Sequence, residues 1–80
     1  MENKKYCLPP QKWFKPDGSV VSCTESVKVL TENWCELRTQ FKEVLEDAVL
    51  MGCTVKQVKD EYKRLIDEMP CDYKETEEKC

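Results

Sequence analysis

From Val27 onward the apolar residues of this chain fall at Val27, Leu30, Trp34, Leu37, Phe41, Val44, Ala48 and Met51. The steps alternate three and four, the spacing of a heptad seam held for about four repeats. Lys28, Glu32, Arg38, Lys42, Glu43 and Glu46 fill the intervening polar face. Ser22-Cys23-Thr24-Glu25 precedes the seam and has the form of a capping box, in which the serine hydroxyl and the glutamate carboxylate satisfy free amides of the first turn. Gly52 follows the seam and suits the left-handed position after a helix end. The pattern predicts a long helix over about 23–51.

Thr54-Val55-Lys56-Gln57 is a second capping box, and behind it Val55, Val58, Tyr62, Leu65 and Met69, widened by Ile66, form another helical stripe. Lys56 and Asp60, Asp60 and Arg64, Lys63 and Asp67, and Arg64 and Glu68 are spaced to pair along that helix. Pro70 stops it, giving a short helix over about 55–69. A link of one or two residues between the helices folds them back on each other, so the expected fold is all-α, an antiparallel αα-hairpin. Cys53 then stands at the exposed tip of the hairpin.

Residues 6–19 do not continue the pattern. Pro9, Pro10 and Pro16 remove amide donors, and Pro16-Asp17-Gly18 has the residues of a tight turn. The predicted organisation is an extended arm over 1–21, the hairpin over 22–70 and a disordered acidic tail over 71–80. Trp13 and Phe14 are the large apolar groups of the arm, placed to dock on a helix or on another protein.

The helices are unequal, roughly 43 Å against roughly 22 Å at 1.5 Å per residue. The short one leaves Val27, Leu30 and Trp34 without cover. Either the arm folds back over them or a second copy supplies the missing surface, and a homodimer of two hairpins as a four-helix assembly is the expected solution. The expected interaction residues are Trp13, Phe14, Val27, Leu30, Trp34, Leu37 and Phe41.

Composition narrows the function. The chain has 80 residues, a formal net charge of −3, no histidine and six cysteines. Four lysines in 1–20 face Glu2 and Asp17, whereas 67–80 carries six acids against Lys74 and Lys79. No continuous basic face results. A helix-turn-helix reading of Thr54 to Met69 fails because Lys56, Lys59, Lys63 and Arg64 are interleaved with Asp60, Glu61, Asp67 and Glu68, so nucleic acid is not an expected partner. The longest apolar run, Ala48-Val49-Leu50-Met51, is far too short for a span, and Met1-Glu2-Asn3-Lys4-Lys5 leads into no signal region. No membrane contact and a cytoplasmic location are expected.

No catalytic set emerges. Without histidine the usual general base is missing, and two glycines, Gly18 and Gly52, make no phosphate loop. Eight residues separate the nearest cysteines, Cys71 and Cys80, too many for one turn to present both to zinc. The expectation is a protein without enzyme activity, cofactor or metal. Cys53 is the candidate reactive thiol, because it precedes a helix N-terminus and lies near Lys56.

Two accounts of the cysteines stay open. In the reduced one, Cys7, Cys23, Cys35, Cys53, Cys71 and Cys80 are free thiols of a cytoplasmic protein. In the oxidised one, Cys35 and Cys71 lie equally far from the turn and form a rung across the hairpin, with Cys23 facing a position near Cys80. Such rungs resemble those of the coiled-coil-helix-coiled-coil-helix proteins of the mitochondrial intermembrane space. The intervals here are unequal, eleven residues between Cys23 and Cys35 against eight between Cys71 and Cys80, where that family keeps equal ones.

The stretch from Trp13-Phe14-Lys15-Pro16-Asp17-Gly18 through Ser22-Cys23-Thr24-Glu25 to Leu50-Met51-Gly52-Cys53 resembles a group of small uncharacterised bacterial proteins. They share the Pro-Asp-Gly turn, the Ser-Cys-x-Glu helix start and the Met-Gly-Cys helix end, over about residues 13–66 of this chain. The resemblance implies a bacterial cytoplasmic setting with reduced Cys23 and Cys53, and carries no activity. The reading it leaves is a protein–protein interaction or adaptor module that self-associates through its seam. The alternative is a thiol-based protein, a redox-responsive or disulfide-braced hairpin.

Overall fold

A computed structural model describes residues 6–75. Two helices account for its regular structure, α1 over Thr24–Leu50 and α2 over Val55–Glu68. They fold as the expected all-α hairpin. Each bound lies within a residue or so of its expected place. The helix start is the informative shift: Cys23, not Ser22, stands at the cap of α1, and its carbonyl accepts the first helical bond from the Val27 amide at 3.0 Å.

The described residues group into two compact units, one of residues 6–38 with Glu75 and one of Thr39–Lys74. Residues 76–80, including Cys80 and half of the expected acidic tail, lie outside the described residues, as do residues 1–5.

In the second unit the chain reverses by a helix-ending turn of defined geometry. Gly52 has φ +106°, its amide bonds the Val49 carbonyl at 3.0 Å, and the Cys53 amide reaches back to Ala48 at 3.0 Å. That pair of bonds is the Schellman motif, which satisfies carbonyls that the helix end leaves open. Thr54 then caps α2, its hydroxyl accepting from the Gln57 amide at 3.0 Å. Cys53 occupies the single position between the end of one motif and the start of the next. Its place is set by backbone geometry.

Along α2, Lys56–Asp60 at 2.6 Å and Arg64–Glu68 at 3.5 Å pair as their spacing predicts, and Arg64 also takes Glu61 at 2.9 Å. All are exposed and each contributes a few tenths of a kcal/mol. The core is small. Val58, 6% exposed, is the one buried hydrophobic residue among those described. Beside it the rings of Phe41 and Tyr62 meet edge to face, centroids 5.3 Å apart and planes at 67°.

In the first unit the arm is less extended than its prolines suggest. Phe14 and Val20 form an antiparallel bridge, Val21 donates to the Trp13 carbonyl at 2.8 Å, and Lys15 donates to Ser19 at 2.8 Å. The loop between is Pro16-Asp17-Gly18. Gly18 donates to Lys15 at 2.9 Å and has φ +88°, while Asp17 keeps negative φ, so a type I turn is followed by a left-handed glycine. Asp17 Oδ1 accepts from the Ser19 hydroxyl at 2.6 Å and the Ser19 amide at 2.9 Å. Those bonds, first the hydroxyl and then the amide, hold its carboxyl below its ordinary value.

The turn at Gly52 can be tested directly. A Cβ built there meets nothing within 4 Å, so Gly52→Ala meets only the left-handed backbone cost, about 1–2 kcal/mol. Urea denaturation followed by far-UV circular dichroism should show that loss. Thr54→Ala should cost about 1 kcal/mol in the same experiment.

Candidate interaction surface

The arm packs on the first part of α1 through four side chains, Tyr6 and Trp13 of the arm and Trp34 and Arg38 of the helix. Trp13 meets Trp34 edge to face, centroids 6.2 Å apart and planes at 70°. The Trp34 indole Nε1 donates to the Cys7 carbonyl at 2.7 Å. Arg38, one turn further, donates from Nη1 to the carbonyls of Tyr6 at 3.4 Å and Cys7 at 3.5 Å, and its guanidinium lies 5.6 Å from the centroid of the Tyr6 ring. Cys7 has φ +50°, the one positive value among described residues other than glycine. The left-handed bend costs about 1–2 kcal/mol, and it accompanies the presentation of two successive carbonyls to α1.

The contact has opposing terms. Trp13 Nε1 and Arg38 Nε are buried with no hydrogen-bond partner, each worth about 1–3 kcal/mol against docking. Aromatic packing and the short Trp34 bond offset them.

Of the residues expected to form an interface, Trp13, Val27, Leu30, Trp34 and Phe41 are half-buried within the chain. Trp34 is taken by the arm and Phe41 by Tyr62. Phe14 and Leu37 remain open, each 65% exposed. Leu37 departs from the seam because Arg38 takes its place between Trp34 and Phe41, while Val27, Leu30, Val44 and Ala48 stay half-buried where the seam puts them. Arg38 therefore leaves the polar face where the heptad pattern puts it, its guanidinium stacked on Tyr6. Met51, the last seam position, is exposed beyond the end of α1.

Tyr6, Cys7 and Arg38 carry the arm contact and were not expected in it. Arg38 lies four residues after Trp34, which places it on the same face. Nothing in the pattern marks Tyr6 or Cys7, whose contribution is two backbone carbonyls.

Of the two accounts of the cysteines, the rung between Cys35 and Cys71 is not formed. Cys35 and Cys71 are both free, and so are Cys7 and Cys53. Cys23 is disulfide-bonded, which corrects the expectation of a reduced Cys23. Cys23 is half-buried at the cap of α1, one residue before the helix. Cys53 is a free, exposed thiol, as expected at the tip.

Among the described residues no group of three or more cysteine, aspartate or glutamate side chains converges as a metal site, and no helix is long and apolar enough to cross a membrane. A hollow lined by Phe14, Lys15, Pro16 and Glu75 lies open to solvent. Set against known proteins, the chain matches no family model, no curated protein and no solved structure.

The arm contact makes separable predictions. Trp34→Phe keeps the ring stack and removes the 2.7 Å bond, so it should cost about 1 kcal/mol and shift Trp13 fluorescence to the red as the arm loosens. Cys7→Gly keeps the carbonyl and relieves the left-handed cost, so denaturation should show no loss, and a gain of up to about 1 kcal/mol.

Proposed function

We propose that this protein is a non-enzymatic interaction module that binds other protein, a second copy of itself included, through apolar side chains its own fold leaves open. The observation that carries the reading is the ratio of core to open surface. Val58 alone is buried among the described hydrophobic residues, while Leu37, Leu50, Met51, Ile66 and Met69 are all more than 60% exposed. So small a core gives a chain of this length little stability of its own, and a partner supplies what it lacks. Under this reading the protein serves in the cytoplasm, without cofactor or nucleic acid, in keeping with its resemblance to small bacterial proteins.

The test is mass in solution against concentration. Sedimentation equilibrium of the full chain from low to high micromolar should give an average mass that climbs above the monomer value. A constant monomer mass would remove self-association from the reading.

Cys23 favours a second reading, a disulfide-braced helical protein of an oxidising compartment or one whose brace responds to redox conditions. Alkylation under denaturing, non-reducing conditions, read by peptide mass, separates the two. In the braced protein Cys7, Cys35, Cys53 and Cys71 take the label and Cys23 takes it only after reduction. Immediate labelling of Cys23 in protein isolated under acid quench would leave the cytoplasmic module as the surviving account.

A further inference from the structure

Helix α2 has two flanks with different fates. Val58, Tyr62 and Leu65 form one stripe, closed at Val58 and half-buried at Tyr62, with Leu65 49% exposed at its end. Val55, Lys59, Tyr62, Ile66 and Met69 form a second stripe, stepping four, three, four, three, which is also a heptad seam. Tyr62 is the shared edge. The second stripe is open: Ile66 is 71% exposed, Met69 61% and Val55 47%. A mostly apolar heptad seam, open to water on both sides of Tyr62, has the form of one half of a helix pair.

Charge along α2 indicates what fills it. Among the described residues Lys59 and Lys63 make no ion pair, and neither do Asp67 and Asp72. The unpaired cations lie in the first half and just past the middle of the helix, ahead of the unpaired acids at its end and just beyond. This order is complementary to its own reverse. An antiparallel copy of α2 sets Lys59 and Lys63 against the acidic end of the other helix, whereas a parallel copy sets like charge on like. Antiparallel pairing also opposes the two helix dipoles.

We propose that a second copy of this chain docks antiparallel along this stripe of α2, with Tyr62 of each copy against Ile66 of the other and Lys59 beside Met69 and Asp72 of the second copy. The inference rests on self-association and names its surface, moving it from the α1 seam to α2. The symmetry is isologous, so each favourable contact occurs twice. A seam of 14 residues, about 21 Å long, gives an interface in the small class, below about 1,200 Å² in total, and hence reversible association. Lys59, an interruption inside an apolar seam, selects this register.

Sedimentation equilibrium of full-length variants tests the proposal, with circular dichroism confirming that each keeps its helix content. Ile66→Glu puts a carboxylate into the pair and should weaken dimerisation about a hundredfold or more. Lys59→Glu should weaken it about tenfold, Lys59→Glu with Asp72→Lys should restore it, and Leu37→Glu should leave it unchanged. A dimer that survives Ile66→Glu but dissociates with Leu37→Glu overturns the α2 surface while self-association stands. Failure of the double variant to recover overturns the antiparallel register. A wild-type chain monomeric at every concentration overturns both this surface and the self-association it rests on.

Discussion

Everything else in this molecule follows from the reversal at Gly52. A left-handed glycine, two bonds back into the last turn of α1 and a threonine cap on α2 leave one residue, Cys53, between the two motifs. The backbone polar groups are satisfied locally, so the reversal requires no large core to hold it. It can therefore position α2 in a chain whose described residues bury a single hydrophobic side chain.

The consequence is a division of labour along α1. Its 27 residues exceed what the 14 of α2 can accompany. In the second unit Phe41 finds Tyr62; in the first, Trp34 finds the arm. The arm holds this part of α1 with few specific groups: the rings of Trp13 and Tyr6 and two carbonyls presented by a strained bend, one of them in a short hydrogen bond. Unpaired Trp13 Nε1 and Arg38 Nε oppose the contact. A segment held by terms so nearly balanced belongs to the low-stability end of a protein's local openings. Leu37 and, apart from Tyr62, the outer stripe of α2 belong to neither contact.

The functional reading and the thiol reading meet at different parts of the chain. The most open apolar side chains of the hairpin lie at the turn and along α2, at Leu50, Met51 and Ile66. The bonded cysteine is at the cap of α1, in the first unit. A covalent brace there constrains the unfolded chain more than it shapes the folded surface. The two readings consequently make different demands on the same protein: one on concentration, the other on redox state.

Helix number, helix ends and the tip position of Cys53 were determined by local sequence, because caps, a left-handed glycine and a heptad period act within a few residues. The Pro-Asp-Gly turn was legible for the same reason. Which side chains the seam would protect was not. A period of three and four admits neighbouring stripes about a third of a turn apart, and the choice went to Arg38 over Leu37 once Tyr6 and Cys7 offered a ring and two carbonyls. Those contacts span some thirty residues and use backbone groups that every residue carries, so no side-chain pattern could announce them. The cysteine outcome was tertiary as well: equal distance from a turn set Cys35 opposite Cys71 on paper, but bonding depends on where the sulfurs point, and it left both free while engaging Cys23.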